Sequence, residues 1–194
     1  KVNNNLSIYK YKDKKITIPA IKVEITDSVN FLYMKQAITN VKKHTDFMQD
    51  SYLIVSEPLE NDFKDFYNYK NVVYYDTYQY LDLPYITDRH YVARAHIIEN
   101  DYIIRINWEL LSFNNYSFFI DNIDKNEKNI FIENGFGFWE IEKIDSNMSK
   151  VTYSIYLNPQ GWIPSFIVNL SNLKVIPNTV INMINEAKRL QKLN

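Results

Sequence analysis

Between Gly135 and Asn169 the chain sets down two strands, a turn and the start of a helix in immediate succession. In Trp139–Lys143 the apolar residues Trp139 and Ile141 alternate with Glu140 and Glu142, and in Val151–Leu157 Val151, Tyr153, Ile155 and Leu157 alternate with Thr152, Ser154 and Tyr156. A period of two marks strands with one buried face. Asp145, Ser146 and Asn147 between them are turn formers. Asn158-Pro159-Gln160-Gly161 then ends the sheet, and Pro164 suits the first position of a helix, where a missing N–H costs nothing. A chain that closes an antiparallel pair and turns directly into a helix must place that helix close to the strands it has just left.

The rest of the sequence supplies the other layers. Leu6–Lys12 and Ile16–Ile25 read as a hairpin about Asp13-Lys14-Lys15, with Ile21, Val23 and Ile25 on one face and Pro19 hinting at an edge. Thr26-Asp27-Ser28 offers N-cap residues for an amphipathic helix carrying Val29, Leu32, Tyr33, Gln36, Ala37 and Val41, ending near Lys42-Lys43. A short helical turn around Thr45–Gln49 and a strand over Ser51–Glu57 follow, then a loop or short helix at Asn61–Asn68. Val72–Leu81 is a strand, and Arg89–Glu99 and Tyr102–Leu111 form a hairpin about Asn100-Asp101. Asn114–Asn129 reads as a polar connection with a short strand at Phe118–Ile120, and Asn129–Lys143 as one long strand whose glycines at 135 and 137 mark a bulge or a close approach. Pro177 predicts a break or kink near Leu173–Ile176 in the last helix, which resumes at Asn178.

Two motifs in this order resemble the START domains, the lipid-transfer family related to the steroidogenic acute regulatory protein. Trp139, Thr152, Tyr153, Pro159, Gly161, Ile163, Pro164, Val168 and Asn169 match the end of that domain, with Asn158 where the family often has Asp. Pro84, Arg89, Tyr91 and Val92 match its "P-x-x-x-R-D-[FY]-V" step, with His90 in place of the usual Asp. The resemblance implies an α+β helix-grip fold: a curved antiparallel sheet wrapped around a long C-terminal helix, with an internal hydrophobic cavity, over residues 1–194 as a single domain. It also implies a function, the binding of a lipid or sterol-like molecule and its carriage between membranes, with transient membrane contact and a monomer as the default for a carrier.

Asp76 and Arg94 are charged residues in otherwise apolar or aromatic strands. In the sterol-binding branch of the family an acid and a base at these positions meet inside the cavity, so the resemblance makes them the polar anchor; a purely structural ion pair, or a place on the wet face, is the alternative. The apolar parities point to a lining that includes Ile106, Trp108, Trp139 and Tyr153, faced by Phe166, Leu170, Ile181 and Ile184 of the helix. Each alone is also an ordinary core residue, so the expectation is collective.

Composition narrows the function classes. With 194 residues the chain can bury a real core. A net charge of −1 with no basic stripe argues against nucleic acid as a partner. The sequence has no Cys, and His44, His90 and His96 do not stand at metal-ligand spacing, so neither a thiol nucleophile nor a metal or other cofactor is expected. No phosphate loop, nucleophile elbow or triad is present, and no catalytic residue is nominated. A helix-grip enzyme of the cyclase, aromatase or hydrolase type stays open as the second reading, and a ligand-sensing interaction module as the third. Lys1 in place of Met leaves a removed N-terminal segment, and export, open.

Overall fold

The computed structural model describes residues 6–11, 18–59, 73–115 and 129–193. The loop or short helix expected at Asn61–Asn68 and the short strand expected at Phe118–Ile120 lie outside them. The described strands are β1 (Leu6–Tyr11), β2 (Ala20–Asp27), β3 (Leu53–Leu59), β4 (Val73–Leu81), β5 (Arg89–Glu99), β6 (Ile103–Leu110), β7 (Ile130–Phe131), β8 (Gly135–Lys143) and β9 (Ser149–Leu157). They form one sheet in the order β1-β2-β9-β8-β6-β5-β4-β3, every neighbouring pair antiparallel, with β7 added in parallel to β5. Helix α1 (Phe31–Thr39) and the single turn α2 (His44–Phe47) join β2 to β3. The chain ends in α3 (Ser165–Leu170), a π-helical turn at Ser171–Val175 and α4 (Ile176–Leu193), which run on as one helix laid across the sheet. This is the expected helix-grip α+β architecture.

The alternation read from the sequence sets the two faces. Ile21, Val23 and Ile25 of β2, Ile104 and Ile106 of β6, Trp139 and Ile141 of β8 and Val151 of β9 are buried on the concave face. They pack against Val180, Met183, Ile184 and Ala187 of α4 and against Met34, Ala37 and Ile38 of α1. Fully burying a side chain of this size stabilises the fold by about 1.5–3 kcal/mol. On the convex face Lys22, Glu24, Arg105, Glu140 and Lys150 form a row of exposed or half-buried charges. The two predicted glycines act through space rather than conformation. A Cβ on Gly137 would lie 2.1 Å from the Ser154 carbonyl oxygen and 2.6 Å from the Trp108 ring, and β8 keeps unbroken register with both neighbours.

Several boundaries differ from the sequence reading. Pro19 precedes β2, which is flanked on both sides; β1 is the edge. The N-cap of α1 is Asn30, whose side chain accepts from the Leu32 N–H at 2.9 Å, and the helix stops at Thr39, before Lys42 and Lys43. Its buried face is Phe31, Met34, Ala37 and Ile38, leaving Leu32 exposed. The long strand expected from Asn129 is two pieces. Strand β6 reaches β5 only as far as Ala93, so Arg89 and His90 have a free edge, and β7 fills it. The chain then leaves at Ile132, whose N–H donates to the His90 carbonyl, before β8 begins.

Pro177 does not break the C-terminal helix. It lacks the N–H that would bond the Leu173 carbonyl, and its ring crowds that carbonyl. The turn ahead of it widens instead: the Ile176 N–H donates five residues back, to Ser171. The extra residue shifts the phase of α3 against that of α4.

A chamber between the sheet and the C-terminal helix

The helix packs directly on the sheet along most of α4 but not along α3, the π turn and the first turns of α4. There a cavity of about 250 Å³ separates the two layers. Its sheet wall is made by Gln79 and Leu81 of β4, Arg89 and Tyr91 of β5, Trp139 of β8 and Tyr153, Ile155 and Leu157 of β9. The helical wall is Ile167, Val168, Ser171, Asn172, Val175, Ile176, Thr179 and Met183, a stripe at three- and four-residue spacing. His44, Met48 and Leu53 close the side, and Leu83, Ile86, Pro159 and Ile163 sit at the rim.

Trp139 and Tyr153 are Cα partners across β8 and β9, and their rings stack on the chamber wall with centroids 4.1 Å apart and planes 20° off parallel. Burial raises the pKa of the Tyr153 hydroxyl, and neighbouring Tyr91 raises it further. Burial likewise raises Tyr91, whose hydroxyl donates to the amide oxygen of its cross-strand partner Gln79. His44 is buried, and its Nε2 lies 3.3 and 3.0 Å from the carbonyls of Ala37 and Ile38. Both acceptors are carbonyls, so Nε2 carries the proton. Loss of solvent pulls its pKa down to about 4, although both hydrogen bonds oppose the shift.

Arg89 pins the loop even though His90 stands where the family has Asp. It is 1% exposed and donates to the carbonyls of Thr87, Pro159 and Gln160, tying the end of the β4–β5 loop to the turn that follows β9. Burial lowers its pKa, and Asp88 opposes that shift. Asn158 serves the turn as an Asp would, its side-chain oxygen accepting from the Gln160 N–H at 3.1 Å. Gln160 and Gly161 both adopt positive φ there, 54° and 65°. His90 packs edge-on against Tyr78 and Phe131, and Tyr78 and the His90 Nδ1 lie 3.1 Å apart.

Of the residues nominated from sequence, Trp139 and Tyr153 stand on the chamber wall. Ile106 and Ile184 face the helix side of the sheet but belong to the packed core, 1% and 2% exposed. Trp108 lies half-buried over Gly137. Phe166 is 57% exposed, and Leu170 and Ile181 are half-buried away from the chamber. The phase shift of the π turn accounts for the displaced helix stripe. Asp76 and Arg94 meet, as expected, but on the other face: with Gln79, Leu81, Arg89 and Tyr91 lining the chamber, strand alternation sends Asp76 and Arg94 outward. His96 is on that outer face too, beside Asn107 and Tyr74. The sequence reading missed His44, Gln79 and Asn172. Gln79 carried a signal, as a polar residue in phase with Leu81 on a buried face; Asn172 carried none, because a buried helical stripe containing Ser, Asn and Thr does not read as apolar.

The architecture compares directly with solved structures. The STAR-related lipid transfer protein of Xanthomonas axonopodis superposes with a TM-score of 0.73 over 97% of this chain and 96% of its own, at 15% identity. Human STARD10 gives 0.77 over 98% of this chain and 72% of its own, at 12% identity. The fold is that of the START domains. A more distant likeness is the di-domain aromatase/cyclase StfQ, TM-score 0.53 at 10% identity over 88% of this chain and 46% of that one. No family model matches the sequence, and no curated protein matches it. The likeness to the START domains is thus one of fold, at 10–15% identity. Among the described residues no His, Asp and Glu cluster could hold a metal ion, and no helix is long and apolar enough to cross a membrane.

Proposed function

We propose that this protein binds a hydrophobic small molecule, a lipid or sterol-like compound, in the chamber and carries it between membranes. The observation that carries the reading is the chamber itself: an apolar space held open between sheet and helix, where the same two layers a few residues further on pack tightly. Close packing is the rule in protein interiors, so a space of this size bounded by Trp139, Tyr153, Ile155 and Leu157 supports a ligand site. The likeness to lipid transfer proteins supports the class of ligand. The rim supports membrane contact: Tyr85 and Trp162 are 89% and 81% exposed, and each is next in sequence to a rim residue or one removed from it. Aromatic side chains of this kind settle at the bilayer interface. Opening would fall to the β4–β5 loop and to α3, with the π turn as the hinge.

The test is native mass spectrometry of the purified protein before and after incubation with mixed-lipid vesicles, followed by organic extraction. A stoichiometric lipid that is absent when the chamber is filled by Ile155→Trp supports the reading. A protein that stays empty after incubation overturns it.

A second reading, a cyclase-type enzyme, draws support from the likeness to StfQ. The tyrosines of the chamber are held protonated by burial and His44 is held neutral, so general-base chemistry at neutral pH would have to come from the His44 imidazole. Turnover of a bound compound, lost in His44→Gln, would favour this reading over carriage.

A further inference from the structure

Given the carrier reading, the chamber also indicates the kind of head group it holds. Asn172 is 5% exposed, on the helical wall, and its carboxamide makes no hydrogen bond among the described residues, yet its polar atoms are not sealed in protein as the Ser56 Oγ is. A carboxamide held away from bulk water at a chamber wall, with no protein partner, is left for a ligand or water to satisfy. The π turn places it there: the wall stripe passes through Val168, Asn172, Ile176 and Thr179, and π turns recur at functional sites.

Three further groups on the wall are in a similar state. The Tyr153 hydroxyl, near that of Tyr91, makes no hydrogen bond among the described residues. Gln79 accepts from Tyr91 through its oxygen, leaving its NH₂ free. His44 donates from Nε2 to backbone carbonyls, which leaves Nδ1 as a bare acceptor. Together they offer donors and acceptors, and none carries a charge at neutral pH. Arg89, the one ionised side chain on the described wall, directs its guanidinium to the carbonyls of Thr87, Pro159 and Gln160. Among the described residues no carboxylate lines the chamber. The pair expected to anchor a ligand, Asp76 and Arg94, is engaged with itself on the opposite face.

We infer that the chamber selects an uncharged head group that both donates and accepts hydrogen bonds, a hydroxyl or a carboxamide on an apolar body, with Asn172 as its main anchor. An ionised head group would lose its hydration and find no free opposite charge on the described wall. A carboxylate, an acceptor only, would leave the His44 Nδ1 without a donor. The chamber volume of about 250 Å³ lies just under the roughly 300–1,000 Å³ usual for small-molecule sites. That favours a single chain or a compact ring system over a two-chain phospholipid.

The test uses four probes with one twelve-carbon chain: 1-dodecanol, dodecanamide, dodecanoate and 1-bromododecane. At pH 7 the bromine of 1-bromododecane quenches tryptophan emission, Trp139 on the wall being the tryptophan that lines the described chamber; the other three probes are followed by the recovery of emission as they displace it, and all four are checked by native mass spectrometry. The alcohol and amide are expected to bind about tenfold more tightly than the carboxylate, a margin set by one well-made buried hydrogen bond. Asn172→Leu should remove most of that preference and leave bromododecane unchanged, and Asn172→Ala should do the same if leucine disturbs the π turn. Dodecanoate binding tightest, or both variants binding dodecanol as the wild type does, overturns the inference. Bromododecane bound with no head-group preference overturns it alone; no probe bound at all overturns the carrier reading with it.

Discussion

Arg94 grips Asp76 through two parallel hydrogen bonds of 2.8 Å, Nε to Oδ1 and Nη2 to Oδ2, on the convex face of the sheet. The carboxylate is 2% exposed and the guanidinium 22%. Two strand partners joined in this bidentate way fix the β4–β5 register from outside the chamber. Removing one partner strands a buried charge, so Asp76→Leu should cost about 3 kcal/mol or more. Asp76→Leu combined with Arg94→Met should cost much less, since neither charge is left alone. Urea denaturation of the three proteins checks this. Ligand binding, measured on whatever folds, should be the same in the double variant as in the wild type.

Gly137 sits where three chains of atoms converge. Its missing Cβ would meet the Ser154 carbonyl at 2.1 Å, a backbone atom that cannot rotate away, and the Trp108 ring at 2.6 Å. Gly137→Ala should therefore separate β8 from β9 locally and destabilise by about 2–3 kcal/mol. Gly161→Ala fails for a different reason: φ is +65° there, and the cost is about 1–2 kcal/mol. Thermal denaturation should rank wild type, Gly161→Ala and Gly137→Ala in that order.

Where one face of a strand is wet, the sequence announces its structure. Val151, Tyr153, Ile155 and Leu157 declare the inner face of β9, and Ile104 and Ile106 that of β6, because polar residues alternate with them. In β4 the signal fails. Its outer face carries Tyr78, fully buried with Val92 against Val55, Tyr80, Leu111, Phe113 and Phe131. With both faces buried, alternation tells which residues stand together but not which side they take, so only the resemblance points Asp76 and Arg94 inward, and the structure puts them on the outer face. The C-terminal helix shows a second limit. Phe166 and Leu173 are its most conspicuous apolar residues and they face outward, 57% and 58% exposed. An inserted π residue is invisible to a 3.6 period, and a wall that lines a chamber need not be strongly apolar.

His44 makes stability depend on pH. Its folded pKa, about 4, is below the ordinary 6.5 because burial disfavours the charged form. Between those values the unfolded chain takes up a proton that the folded one does not, so stability is lost as pH falls from 6.5 toward 4 and is fully present above 6.5. At pH 5 the loss from this group is on the order of 2 kcal/mol. Denaturant midpoints taken across this range should fall for the wild type. In His44→Gln, which can still donate to Ala37 or Ile38 but does not titrate, the slope over pH 4–6.5 should flatten.

Trp162, Tyr85 and Phe166 surround the mouth of the chamber yet pack against little of the protein. Burying such rings in a bilayer interface would return the apolar contact they lack in water. Replacing Trp162 and Phe166 together by Ser removes none of the chamber wall, because neither residue lines it. The double variant should keep its affinity for ligand and its melting temperature. Its transfer of a fluorescent lipid between vesicles should slow by about tenfold, the equivalent of roughly 1.4 kcal/mol of lost membrane association. Equal loss of binding and transfer would instead place these residues in the ligand site, and unchanged transfer would remove the rim from the route by which ligand enters.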